Sequence, residues 1–169
     1  MQSQEHVPHA KNLRTGRFSE PGRVYFITKC IERSTGISLI LEPFASRICD
    51  TILYRKRSTI WHLLSFVIMP DHLHLLIALG EGKCLSKTIG SFSQFTSSEI
   101  NRLMGRQGRF WQPGFYEHSV CKSVEKCPAL TEYIHHNPVR KGLCDSAEQW
   151  SWSTANVKYR HEVETEWFW

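Results

Sequence analysis

The chain has no C-x-x-C pair. Its six cysteines, Cys30, Cys49, Cys84, Cys121, Cys127 and Cys144, are scattered, which argues against a structural zinc knuckle. With 169 residues, 41% of them hydrophobic, the chain can build one core without disulfide staples. The cysteines therefore read as reduced thiols of a cytosolic protein, mostly used in packing. No apolar segment follows Met1-Gln2-Ser3-Gln4, so no secretory signal is expected. There is no internal repeat and no low-complexity linker. Acidic residues are in the minority: 16 Asp and Glu against 21 Lys and Arg leave a net charge of +5. That balance favours a polyanionic partner such as nucleic acid. Only the run Ile60–Leu79 approaches membrane-spanning length. His62, Pro70, Asp71, His72 and His74 lie inside it and argue for two strands and a turn instead.

What is present reads as alternating strands and helices. Residues 1–22 are polar and basic, with Lys11, Arg14 and Arg17, and suggest an arm ordered on a partner. Arg23 to Ile31 is β-rich. Glu42-Pro43 opens a helix whose stripe is Phe44, Ile48, Ile52 with Ala45, Cys49, Leu53. Ile60–Met69 and His72–Leu79 form a hairpin. Both faces are apolar, so these are expected as central strands covered on each side. Ser86 can cap a second helix with Ile89, Phe92, Phe95, Ile100 and Leu103 facing the core. Phe115 to Cys121 is a further strand. Ser123 can cap a third helix that runs to about His136 and ends at Asn137-Pro138. The order predicts an α+β fold, a ferredoxin-like antiparallel sheet with helices packed on it and a C-terminal tail.

The chemistry gathers at Met69-Pro70-Asp71-His72-Leu73-His74. Alternation along a strand puts His72 and His74 on one face, roughly 6–7 Å apart along the backbone. Two imidazoles buried without partners would be costly. The pair asks for a metal, an anion or a hydrogen-bond acceptor. On the third helix Tyr133 and Asn137 are four apart and share a face. If that face lies over the imidazoles, the site has a nucleophile and a third ligand. Two nitrogens and one amide oxygen, with positions left open, suit Mg²⁺ or Mn²⁺ working with a substrate phosphate; Zn²⁺ or Co²⁺ would also bind. A metal on a phosphodiester oxygen makes phosphorus attackable. Attack by the tyrosine would give a covalent phosphotyrosine and a free 3′-hydroxyl, and the stored bond would let the step reverse.

Three ordered motifs carry a family resemblance: Met69 to His74, then Phe110-Trp111-Gln112-Pro113-Gly114-Phe115-Tyr116-Glu117-His118, then Tyr133 to Leu143 with Asn137-Pro138 inside it. Together with Gln149-Trp150-Ser151-Trp152-Ser153 they resemble the single-tyrosine HUH transposases, and within them the REP-associated tyrosine transposases of bacteria. The resemblance spans roughly residues 23–159, which would be the transposase domain between the arm (1–22) and a tail (160–169). It implies a divalent metal, Mg²⁺ or Mn²⁺, and cleavage of single-stranded DNA near hairpin-forming repeats. By the same resemblance His72 and His74 are the metal pair, Tyr133 the nucleophile and Asn137 a third ligand, at a position where related enzymes often carry glutamine. Asp71, Glu117 and His118 are possible supporting residues; His118 either orients the phosphate or the metal's water, or only braces the helix of Tyr133.

Expected DNA contacts are Arg14, Arg17, Arg102, Arg106, Arg109, Arg140 and Lys141 on phosphates, and Trp111 against unpaired bases. The expected setting is the bacterial cytoplasm, associated with the nucleoid, with no membrane partner. The long tail favours a monomer. Two other classes compete: a non-catalytic DNA-binding module derived from a transposase, and a histidine-triad-like nucleotide hydrolase, in which Leu76 would break the triad.

Overall fold

The structure is a computed structural model, and it describes residues 22–120 and 126–164. Four strands, β1 (Val24–Cys30), β2 (Trp61–Ile68), β3 (His72–Leu79) and β4 (Tyr116–Val120), form one antiparallel sheet in the order β2-β3-β1-β4. The helices are α1 (Phe44–Arg57), α2 (Leu85–Leu103), α3 (Cys127–His135) and the single turn α4 (Asn137–Arg140). This is the ferredoxin-like α+β arrangement that the element order predicts. Pairing is set by alternation: Thr28 stands opposite His74 and Cys30 opposite His72, while Phe26 pairs with His118 and Thr28 with Tyr116 across the other edge of β1.

Each face of the sheet has its own core. Tyr25, Ile27, Leu73, Leu75 and Ile77 pack with Ile48 and Ile52 of α1 and Ile89, Phe92 and Ile100 of α2. Leu64, Val67, Met69, Leu76 and Ala78 pack with Cys127 and Ile134 of α3. Strict alternation would divide β2 differently, because Trp61 and Leu63 share the first core with Phe66 and Ile68. A bulge between Leu63 and Ser65 absorbs one residue and returns Phe66 and Ile68 to that face.

The structure changes several expectations. β2 is not central but lies at the margin of the sheet. Its outer edge is covered by the segment after Trp150. Ile68 N–H donates to Trp152 O at 2.8 Å, Thr154 N–H to Phe66 O at 3.1 Å and Glu164 N–H to Leu63 O at 2.9 Å. An apolar edge strand left bare would template aggregation, so the chain covers it with its own tail. The N-cap of α2 is Cys84 rather than Ser86. Phe95 (49% exposed) and Leu103 face solvent, because the buried stripe runs Leu85, Thr88, Ile89, Phe92, Thr96, Ile100 and Phe95 sits about 100° away from Thr96 on the wheel. The third helix does end just before Asn137-Pro138, with His136 as its C-cap, but the chain adds one further turn, α4, with Pro138 early in it, where its missing N–H costs nothing.

The Ser123 cap, the arm with Arg14 and Arg17, Cys121, and Trp167 and Trp169 lie outside the described residues. Of the tail tryptophans that are described, Trp150 donates its indole N–H to Ile68 O at 2.9 Å and Trp152 packs on the first core. Among the described residues Cys30, Cys49, Cys84, Cys127 and Cys144 form no disulfide. Among the described residues no helix is long and apolar enough to cross a membrane; the run Ile60–Leu79 is the β2–β3 hairpin.

Candidate active site

The two imidazoles of β3 face the α3 side of the sheet, their ring centroids 4.7 Å apart and their planes at 70°. Each has one nitrogen held. His74 Nδ1 lies 2.8 Å from Thr28 Oγ1 on β1. His72 Nδ1 lies 2.6 Å from Asp71 Oδ1. Among the described residues the nitrogen without a hydrogen-bond partner on each ring is Nε2. His74 is buried, and burial, reinforced by the neighbouring His72 against the opposing pull of Asp71, pushes its pKa down to about 3. It is therefore a neutral donor at any physiological pH. Burial works against the Asp71 carboxylate, but the bond to His72 and the charge of Lys141 outweigh it and hold its pKa below the ordinary value.

Tyr133 projects from α3 over this pair. Its ring centroid is 6.1 Å from that of His74 and meets Phe26 edge-on at 6.1 Å; Phe26 in turn lies 5.1 Å from His74. Tyr133 is 40% exposed, so its phenol is supported on one side and open on the other. The Arg140 guanidinium stands 5.0 Å from the centroid of the Tyr133 ring, close enough for a cation–π contact. Asn137, buried at the break after α3, donates Nδ2 to Tyr133 O at 3.0 Å. That bond ties off a carbonyl at the end of α3 and leaves Oδ1 as the remaining acceptor.

The structure thus brings His72, His74, Tyr133, Arg140 and Asp71 together, with Lys141 within electrostatic reach, and holds the Asn137 side chain on the Tyr133 carbonyl. It separates others. His118 shares the face of Phe26 by register, but Glu117 pairs with Ile27 and faces the α1–α2 side. Arg102 ends α2 and pairs with Glu99 at 3.3 Å. Arg106 bonds the Arg109 carbonyl at 3.4 Å. These three arginines belong to the α2 layer, not to that of α3. Trp111 is 3% exposed and donates its indole N–H to Thr96 Oγ1 at 2.9 Å; what it offers to solvent is the wall of a cavity. Two participants were not singled out from sequence: Thr28, which holds His74, and Phe26, on which Tyr133 rests. Their signal was the every-other-residue pattern of β1, Phe26-Ile27-Thr28, which reads as a strand but does not say what stands across from it.

Among the described residues no group of three or more His, Cys, Asp or Glu gathers to hold a metal. Among the described residues the donors that the pair offers an ion are the two imidazole Nε2 atoms, while Asn137 turns its Nδ2 to the Tyr133 carbonyl. A histidine pair on the central strand of a ferredoxin-like sheet, with a tyrosine on the helix above it, is the arrangement of a single-tyrosine HUH transposase.

The comparisons agree with that class. The family model described as "Transposase IS200 like" matches residues 24–137, and the chain belongs to that family; it is an enzyme of the transposase class. It is 26% identical over 157 residues to a "Putative REP-associated tyrosine transposase" of Haemophilus influenzae, covering 86% of each chain. It is 26% identical over 138 residues to the "REP-associated tyrosine transposase" of Escherichia coli, covering 82% of this chain and 79% of that one. A solved structure described as a REP-associated tyrosine transposase bound to a REP hairpin superposes with a TM-score of 0.64 at 24% identity, over 82% of this chain and 79% of that chain. That likeness speaks for the fold.

Proposed function

We propose that this protein cleaves and rejoins single-stranded DNA at hairpin-forming repeats through a covalent bond between Tyr133 and a 5′-phosphate, with Mg²⁺ or Mn²⁺ held by His72 and His74. The observation that carries the reading is the 6.1 Å separation of the Tyr133 and His74 rings within one chain. A monomer then holds a complete site.

The donor set fits a divalent ion. Both Nδ1 atoms are engaged by neighbours, which orients the rings and presents Nε2. His74 needs no deprotonation to serve as a ligand. Asn137 Oδ1, water or a substrate oxygen can fill the remaining positions. When bound, the ion would withdraw charge from a phosphodiester oxygen. Tyr133 does the covalent work. Its oxygen attacks phosphorus, the bond from phosphorus to the 3′-oxygen breaks, the phenol proton passes to solvent and the leaving oxygen takes up a proton as a 3′-hydroxyl. Attack by another 3′-hydroxyl on the phosphotyrosine reverses the step, so cutting and joining need no ATP. Arg140, 5.0 Å from the centroid of the Tyr133 ring, can turn an N–H to the phosphate. Lys141, Arg102, Arg106 and Arg109, with Arg14 and Arg17 of the arm, supply phosphate contacts. Work on genomic repeats sets the enzyme in the bacterial cytoplasm at the nucleoid.

The two competing classes are tested by the same assay. At the third position of a histidine triad stands Leu76, fully buried. A binding module would form no adduct. Incubation with a labelled hairpin strand is expected to give a tyrosine-linked adduct that Tyr133→Phe abolishes while hairpin affinity stays within about threefold. EDTA is expected to stop cleavage and Mg²⁺ or Mn²⁺ to restore it. Cleavage by the Tyr133→Phe protein would discard the reading.

A further inference from the structure

On the far side of the sheet from Tyr133 is a cavity of about 630 Å³, a volume suited to a small ligand. One wall is a helical stripe of α2, Ser86, Gly90, Ser93 and Ser97; the other holds Lys29 and Trp111. Lys29 is 4% exposed. Its ammonium donates to the carbonyls of Gln112 and Gly114 and lies 6.0 Å from the Trp111 ring centroid. No carboxylate among the described residues pairs with it. An ammonium has three N–H donors, so one is left over. A buried cation without an anion is expensive. Burial pushes its pKa down to about 8, and Arg109 adds to the local positive charge against the opposing effect of Cys30. An anion entering the cavity would relieve both.

Gly90 is the second sign. A glycine at an exposed position inside a helix is unfavourable, and a Cβ at Gly90 would meet nothing within 4 Å. No packing demands it, and Gly90 lines the cavity, where a larger side chain would take up its space. Among the described residues the Ser86 and Ser97 hydroxyls and the Gln94 amide make no hydrogen bond, and they line the cavity. Lys29 and Thr28 are adjacent on β1 and point to opposite faces, so the cavity lies directly behind His74. β4 is the margin of the sheet, and Gly114 and Phe115 at the cavity lead straight into it. A strand leaving the catalytic face can therefore round β4, past the exposed Tyr116, and arrive here.

We infer that the cavity is a second nucleotide site, which takes one unstacked nucleotide of the single strand, its phosphate on Lys29 and the α2 hydroxyls and its base against Trp111 and Phe115. The inference rests on the reading of the substrate as single-stranded DNA, and its test is independent of cleavage.

The test measures fluorescence anisotropy in EDTA with a labelled 20-nucleotide mixed-sequence single strand, on wild type, Lys29→Met and Gly90→Leu. Each variant is expected to bind about tenfold more weakly. Lys29→Met should also flatten the dependence of log affinity on log salt by about one phosphate's worth. Gly90→Leu fills the cavity while improving the helix, so its Tm should equal or exceed that of wild type; weaker binding then has no unfolding explanation. A strand carrying 5-iodouracil should photo-cross-link to Trp111 or Phe115 in wild type. Equal strand affinity in all three proteins overturns the inference, including the case in which dAMP alone binds wild type and not Gly90→Leu, which would make the cavity a site for free nucleotides. No metal is present, so the result stands whether or not Tyr133 forms an adduct.

Discussion

Thr28 shows how much of the site depends on one hydroxyl. It is the described partner of His74 Nδ1, at 2.8 Å, and such outer contacts set the tautomer and aim of a ligating imidazole. Thr28→Val keeps shape and removes the bond. It is expected to cost about 10–100-fold in metal affinity, read as a rightward shift of the Mn²⁺ titration of adduct formation, with the plateau recovered at high Mn²⁺. Thr28→Ser should restore most of the loss. A plateau that stays low at saturating metal would mean that Thr28 acts on the chemistry rather than on the ligand. That His72 and His74 share a strand face, and Tyr133 and Asn137 a helix face, is legible in the sequence, because two-residue alternation and four-residue helical spacing are local facts. Thr28 was not legible, because its meeting with His74 spans 46 residues and depends on the register of β1 against β3. Arg140 was read only as a phosphate contact for a similar reason. It lies two turns beyond Tyr133, across a helix break that local propensity does not place.

At the scale of elements, the hairpin and the helices were read from periodicity, and the margin of the sheet was misread. Two apolar faces on β2 predict a central strand, but the strand is covered on its edge by irregular chain. That cover centres on Thr154. Its Oγ1 lies 3.0 Å from Phe66 N, 3.2 Å from Phe66 O and 2.9 Å from His135 Nε2. One side chain so joins β2, the tail and the helix that carries Tyr133. A hydroxyl supplies one donor and two acceptors, which these three partners exhaust. Thr154→Val leaves a buried N–H and a half-buried imidazole wanting. The expected loss is about 1–3 kcal/mol of stability, measured as a lower Tm. Because α3 is one of the elements tied down, Tyr133 should also become more mobile, seen as faster amide exchange along Cys127–His135. An unchanged exchange pattern would confine the role of Thr154 to the edge of β2.

For the molecule as a whole, the same tie gives acid sensitivity a definite direction. His135 is pushed down to about 4, chiefly by burial and further by His136, with Glu148 opposing. In the unfolded chain its pKa returns to about 6.5. Between those values the unfolded state binds the proton and the folded state does not, so stability falls as pH falls. The contribution is complete above about pH 6.5 and is lost progressively toward pH 4. Carboxylates held low in the folded protein, such as Glu162 between Lys56 and Arg57, act in the same direction but only below their own ordinary range near 4.5. The interval from 6.5 to 4.5 therefore belongs to histidine. Denaturant unfolding in EDTA is expected to show a stability that declines with falling pH across that interval. His135→Gln, whose amide can still reach Thr154, should flatten the slope by up to one proton. A slope equal in the two proteins would remove His135 as the source. The test also bears on the fold, because the proton sensed at His135 would loosen the contact that holds α3, and with it Tyr133, against the sheet.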